Sequence, residues 1–310
     1  MILLLLSSIF SFYVQATILP AGYILRLHQR SISKPKTIKI EQRVVYAGYS
    51  FNETILFKAP DKLRVYVEKD GDAVLFIRDK EKCVAISSNA RVNYTDLCSS
   101  DIKSNFYYSS IIPMTSFSGF LRSSGVKTNY RHFEIYKNGS DAEQSENKAP
   151  YDQKYPVLLL KDGNKPIYVL GLSRDDYKSA VSSLKRSGPN LTERLLKSLR
   201  EKENQAWFET SSNNLLRVFG RDSIRKKKFE LILTNYKKDS NNNFMPELID
   251  FKIEGDHVLS YGLKNFETNS EYADEIFSVN SYIAKFNKTS EIDDLNENKK
   301  VLFNYLKEYR

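Results

Sequence analysis

The sequence predicts a mainly β, α+β protein built on antiparallel sheet. Three observations carry this. Apolar and polar residues alternate over 38–46 and 63–68, and turns of two or three residues separate successive runs. The 310 residues also include 20 Tyr and 18 Phe, types that suit a pleated, half-buried surface. Connections this short force antiparallel neighbours, because a parallel crossover needs a dozen residues or more.

In chain order, an apolar leader occupies 1–16, and Tyr23, Ile24 and Leu27 then recur at helical spacing over 22–33. Lys34-Pro35-Lys36 ends that helix. A meander follows. Ile38, Ile40, Gln42, Val44 and Tyr46 alternate with Lys39, Glu41 and Arg43, and Gly48 begins a turn. The chain returns over 51–58, turns at Pro60-Asp61, and alternates again through Leu63, Val65 and Val67. Asp70-Gly71 is a hairpin turn by composition, followed by strands over 73–78, 83–86 and 91–94. Residues 101–125 are strongly apolar without alternation and read as two short helices broken at Pro113 and stopped at Gly125. A strand is expected over 130–136 and a polar surface loop over 138–153. A second meander then comprises 157–160, 167–172, 205–209, 215–219, 228–236, 246–254 and 257–266, interrupted by a helical stretch over 174–202. From about Ser290 a helix carries Val301, Leu302, Tyr305 and Leu306 on one face. The expected organisation is a leader (1–16), a sheet domain (17–285) and a C-terminal amphipathic helix (286–310).

The first charged side chain after the N-terminus is Arg26. Val14-Gln15-Ala16 closes the apolar stretch with small residues at −3 and −1, which predicts signal-peptide cleavage after Ala16 and an exported, periplasmic protein. The alternative is an uncleaved anchor over 2–25, but its serines, Gln15, Pro20 and Gly22 make a poor span. No cysteine follows the leader, so no lipid-anchoring site is expected. In an oxidising compartment Cys83 and Cys98 are expected to pair, closing a loop of about 15 residues worth roughly 3 kcal/mol; two buried thiols are the alternative.

A formal charge of +9 suits anionic partners but equally a lysine-rich proteome. The basic run Arg225-Lys226-Lys227-Lys228, preceded by Arg217 and Arg221, is the best anion- or partner-contact patch, with a solvated strand start as its plainer reading. Nucleic acid is not expected as a partner, given the export signal and the lack of interleaved basic and aromatic residues. Enzyme signatures are missing: no G-x-S-x-G, H-E-x-x-H, G-x-x-x-x-G-K or G-x-G-x-x-G occurs. His28, His132 and His257 lie in separate segments, so neither a metal site nor a cofactor is expected, and the protein reads as a non-enzyme.

The first meander resembles the LolA-type periplasmic lipoprotein carriers and their lipoprotein-sorting superfamily. Ile40-Glu41-Gln42-Arg43-Val44 looks like that family's first strand, and Leu56-Phe57-Lys58-Ala59-Pro60-Asp61-Lys62-Leu63-Arg64 like its strand-turn-strand around a proline. The second half is similar more loosely, through Tyr168-Val169-Leu170-Gly171, Gln205-Ala206-Trp207-Phe208 and Met245-Pro246-Glu247-Leu248. The resemblance implies a curved antiparallel sheet forming an incomplete barrel around a hydrophobic cavity, with helices as its lid; 101–125 and 174–202 are the lid candidates. It implies a carrier that binds lipid or acylated lipoprotein for transport toward the outer membrane, with membrane-anchored donor and acceptor proteins. The alternative is a lipid- or lipoprotein-sensing module that regulates a membrane partner. Phe57, Leu63, Val65 and Val67 are expected to line the cavity, and Lys58 to contact an anion or partner. In the carriers an arginine directly precedes the proline, whereas here that position is Ala59 and the basic residue is Lys58, which faces the opposite side of the sheet.

Overall fold

The computed structural model describes residues 21–31, 35–80, 82–88, 90–92, 120–122, 124–127, 157–162, 165–173, 204–221 and 227–309, together with 175–176, 178–179, 182, 197–199 and 202. The leader, the strand expected at 130–136 and the polar loop at 138–153 lie outside the described residues. Helix α1 (Ala21–Ser31) precedes a first meander of β1 (Thr37–Tyr46), β2 (Tyr49–Lys58), β3 (Lys62–Lys69), β4 (Asp72–Asp79), β5 (Lys82–Ser87) and β6 (Ala90–Val92). The second meander comprises β7 (Leu158–Asp162), β8 (Lys165–Leu170), β9 (Gln205–Glu209), β10 (Leu215–Arg221), β11 (Lys228–Lys238), β12 (Phe244–Ile253) and β13 (Asp256–Thr268). Helix α2 (Val279–Lys285), the short strand β14 (Thr289–Ser290) and helix α3 (Glu297–Tyr309) follow. The last helix therefore starts seven residues later than its periodicity suggests, because Ile292–Asp294 forms a separate 3-10 turn closed by a reciprocal Glu291–Asp294 capping box.

Among the described residues all fourteen strands join one curved, unclosed sheet, in the order β14-β6-β5-β4-β3-β2-β1-β13-β12-β11-β10-β9-β8-β7. Every pairing is antiparallel except that of β14 with β6. Local hairpins set most of this register. Asp70 and Gly71 both take positive φ (52° and 84°), as do Glu254 and Gly255 (51° and 92°), the two-residue turn geometry whose twist matches that of flanking strands. One pairing is non-local and fuses the meanders: β1 runs antiparallel to β13, from Ile38 opposite Thr268 to Tyr46 opposite Leu259. Register shifts at Glu41/Gln42, Leu215/Arg217 and Phe251/Lys252 add the local bends by which such a sheet curls.

Strand alternation divides the sheet into two unlike faces. The inner face carries Ile38, Ile40 and Val44 from β1, Phe51, Ile55 and Phe57 from β2, Leu63, Val65 and Val67 from β3, and continues through Val218, Leu231, Ile249, Tyr261 and Phe266 in one buried cluster. The outer face gathers its buried apolar clusters at the flanks. Near one edge, Ile77, Val84 and Ile86 pack with Val279 of α2. Near the other, Leu158, Ile167, Val169 and Trp207 pack with Leu172 and Leu199. Between these flanks the outer face presents polar pairs such as Arg43 with Ser50 and Lys264 with Asn52. A sheet wetted on one face and greasy on the other reads as the alternation seen in the sequence.

Candidate functional site

The site is the inner trough and the segments that close it. Three separate pieces of chain fill its apolar wall. Helix α1 contributes Ala21, Ile24 and Leu25; the segment 120–126 contributes Phe120, Leu121 and Val126; α3 contributes Leu302, Phe303, Tyr305 and Leu306. The four residues expected to line the cavity are all on this inner wall: Phe57, Val65 and Val67 have no exposed surface and Leu63 is 5% exposed. Cross-strand pairing stacks them in rows, Phe57 opposite Leu63, Ile55 opposite Val65 and Glu53 opposite Val67.

Helix α3 lies along the rim formed by the β1–β2, β3–β4 and β5–β6 turns. At its start, the Asn296 and Asn298 amides donate to Asp72 beside the β3–β4 turn, and the Lys299 ammonium lies 3.3 Å from the same carboxylate. Lys299 also donates to Ser88 at the β5–β6 turn. At its other end, the Tyr46 hydroxyl donates to Glu308 at 3.0 Å. Between these ties Tyr305 drops into the trough. Its ring lies edge-on to Phe51 (centroids 5.0 Å apart) and tilted against Tyr46 (5.7 Å). Its hydroxyl donates to Glu53 Oε2 at 2.9 Å and lies 3.4 Å from the Tyr261 hydroxyl. The same Glu53 oxygen accepts from Gln42 Nε2 at 2.6 Å. Glu53 and Gln42 are each 1% exposed, a hydrogen-bonded polar pair set in an apolar wall. Sequence reasoning missed this group, although both residues fall on the inward parity of their strands.

On the side of the second meander, α1 buries His28 to 2% exposure. Its Nδ1–H donates to the Asn213 carbonyl at 2.9 Å, and its ring meets the edge of Phe208 with centroids 5.5 Å apart. Burial pushes this imidazole down to about 4, only partly opposed by the hydrogen bond to Asn213.

Of the expected cationic residues, Lys58 and Lys227 are described. Lys58 faces outward as the alternation requires; it donates to the Tyr272 carbonyl at 2.8 Å and pairs with Asp274 at 2.5 Å. Lys62 reaches the other oxygen of Asp274 at 2.8 Å. The two ammonium groups, Lys58 first, hold the Asp274 carboxyl down to about 2. Lys227 is exposed, while Arg225 and Lys226 lie outside the described residues. Arg217 pairs with Glu230 and lies over the rings of Trp207 (5.3 Å) and Phe219 (4.5 Å) on the outer face. Cys83 is half-buried on the inner parity of β5, opposite Arg78; Cys98 lies outside the described residues.

The lid expectations need one correction. Of 174–202, Leu199 packs with Trp207 on the outer face of the sheet rather than over the trough. The described part of 101–125 does join the inner cluster, through Phe120 and Leu121. The rim is covered instead by α3, whose role helical periodicity alone cannot assign.

His257, Ser260 and Asp250 meet on the outer face. His257 Nε2 is 2.6 Å from Ser260 Oγ and 3.4 Å from Asp250 Oδ1, and Ser260 donates to that same Oδ1. A nucleophile relay needs the carboxylate on one imidazole nitrogen and the serine on the other. Here both contact one nitrogen, and the serine proton is already committed to the carboxylate. Among the described residues no three His, Cys, Asp or Glu side chains cluster to hold a metal ion, and no helix is long and apolar enough to cross a membrane.

No family model matches the sequence, and no curated protein does. Among solved structures, the fold is similar to one bearing the name outer membrane lipoprotein-sorting protein domain, from Vibrio parahaemolyticus, at 12% identity over 84% of this chain and 97% of that one, with TM-score 0.40. It is similar to a LolA superfamily protein from Nitrosomonas europaea at 12% identity over 85% and 99% of the two chains, with TM-score 0.39. A DUF1329 family protein from Desulfovibrio piger matches at 11% identity over 85% and 99%, also with TM-score 0.39. The second carries the name of the superfamily that the strand motifs resemble. The likeness concerns the course of the chain alone.

Proposed function

We propose that the protein is an exported, non-enzymatic carrier that binds acyl chains of lipid or acylated lipoprotein in the trough, with α3 as a displaceable cover, and moves them toward the outer membrane. The observation that carries this reading is the way the trough is closed. A continuous apolar wall spans both meanders, yet short separate segments from the two ends and the middle of the chain cover it, rather than a second sheet. Hydrocarbon that replaces the side chains of α3 recovers about 0.8 kcal/mol per buried methylene, so an acyl chain competes for the same wall on equal physical terms. Apart from the buried bond of Tyr305 to Glu53, the polar ties of α3 described above sit at the rim, where water replaces them at little cost.

Native mass spectrometry of the full chain purified from its own cells, paired with titration of a fluorescent acyl probe, tests this. Co-purifying acyl species and saturable probe uptake are expected. Protein that emerges free of acyl species and takes up no probe overturns the reading. The sensing alternative has one observation in its favour: an occupant that expels α3 also presents Leu302, Phe303 and Leu306 to a partner. A stable protein complex formed only by the acyl-loaded state, with no hand-over to acceptor vesicles, identifies a sensor instead of a carrier.

A further inference from the structure

We infer that the cleft beside the β2–β3 and β4–β5 turns is an anion site in which Arg78 and Lys82 hold a phosphate, either as a free ion or as the head of a chain lying in the trough. Only the second form rests on the acyl-trough reading.

Helix α3 lies along the turns at one end of the first meander, and this cleft lies at the other end. It encloses about 770 Å³, lined by Arg78, Lys80, Lys82 and Asn280 together with the carboxylates Asp61 and Asp79. Along β4 the inward stripe runs Val74, Phe76, Arg78. Val74 and Phe76 belong to the inner cluster, and Arg78 stands opposite Leu63 of the same cluster. The stripe therefore passes from hydrocarbon to cation at the end of the strand. The side chain of Arg78 also turns toward the cleft. Its Nε donates to the Lys80 carbonyl at 2.9 Å, and it shares the lining with Val279, which packs on the outer flank. One residue thus belongs both to the last inner row and to the cleft.

What Arg78 lacks is a counter-ion. Burial holds its pKa below the ordinary guanidinium range, and Asp61 opposes this only in part. Among the described residues its one hydrogen bond is that from Nε, and it forms no ion pair. The lysines nearby differ in how far they are committed. Lys58 and Lys62 both pair with Asp274, whereas Lys82 reaches the Asn280 amide oxygen at 3.4 Å. Asp79 stands between Lys62 and Lys82 in the strand register, which offsets its charge. Glu81, in the same turn, lies outside the described residues. A guanidinium with open terminal nitrogens makes paired, charge-assisted hydrogen bonds to two phosphate oxygens, and an ammonium beside it adds a point charge. A chain whose phosphate rests on Arg78 lays its tail on Phe76 and Leu63, the inner-wall residues next to that cation.

The test uses the full chain. Inorganic phosphate is titrated by calorimetry, and dodecyl phosphate and dodecanol are compared by displacement of a fluorescent acyl probe. Dodecyl phosphate is expected to bind about ten-fold more tightly than dodecanol, and Arg78→Gln to bring that ratio close to one. Lys82→Gln alters an exposed side chain and keeps the test decisive even where Arg78→Gln does not fold; it is expected to lower the ratio about three-fold. Lys165→Gln, at an exposed lysine of β8, is expected to leave it unchanged, which excludes a general effect of net charge. That pattern identifies the head of an acyl chain as the ligand. Uptake of inorganic phosphate that Arg78→Gln abolishes, with no preference between the two chains, identifies a free ion instead. Phosphate bound in neither form, or bound equally after both substitutions, overturns the inference and leaves the trough reading intact as long as dodecanol displaces the probe. Failure of the acyl probe and dodecanol to bind, beside Arg78-dependent uptake of inorganic phosphate, overturns the trough reading alone.

Discussion

Over the first meander the trough is covered by α3, whose ties are several, polar and mostly at the rim: Asp72 with Asn296, Asn298 and Lys299, Ser88 with Lys299, and Tyr46 with Glu308. Against the second meander α1 presents buried side chains. It buries Ile24 and Leu25 outright and sinks one imidazole, His28, against Asn213 and Phe208. Water compensates rim ties readily when they break, whereas nothing in water compensates for a helix whose anchor is hydrocarbon plus a desolvated ring. The contrast separates a cover held by burial from one that is also tied by polar contacts at its perimeter. Helix α1 behaves as core. Helix α3 has a core face and a polar perimeter.

Four experiments test this contrast, in decreasing order of expected effect. Phe303 has no exposed surface, and Phe303→Ala is expected to lower stability by about 3–5 kcal/mol in urea unfolding. A loss below about 1 kcal/mol would mean that α3 contributes no packing at all. Second, His28 makes stability depend on pH. The unfolded imidazole takes its proton near 6.5 and the folded one only near 4, so the unfolded state binds more protons between those values. Stability is therefore complete above pH 6.5 and falls by about 3 kcal/mol as pH drops to 4. His28→Leu is expected to flatten that part of the profile, and an unchanged slope would remove His28 as the anchor of α1.

Third, the Cys83–Cys98 bridge is proposed to clamp the β5–β6 edge of the first meander. Reduction is expected to cost about 3 kcal/mol, and two thiols titrated in the denatured, unreduced chain would exclude the bridge. Fourth, Tyr305→Phe is expected to cost about 1 kcal/mol, and Asp72→Ala less than that, an effect that shrinks in high salt. Both should speed amide exchange in α3 while leaving α1 protected. Equal acceleration in the two helices would show that they open together, and the distinction between core and cover would fail.

Much of the fold was legible before any coordinates. Every described strand of the two meanders falls where alternation and turn chemistry placed it, because period-two patterning and residues such as Asp70-Gly71 are local properties of the chain. Parity also put Phe57, Leu63, Val65 and Val67 on the inward side and Lys58 on the outward side. Local patterning thus specified the hairpins and which face of each strand is greasy. Only the tertiary structure decided the rest. The pairing of β1 with β13 joins segments some 220 residues apart, and no local signal encodes such a distance. The bond of Tyr305 to Glu53 depends on the docking of α3, and its approach to Tyr261 depends on that closure as well. The placement of Leu199 outside the trough and of α3 over its mouth was equally invisible, since an amphipathic stripe records that a helix buries a face but not which surface receives it.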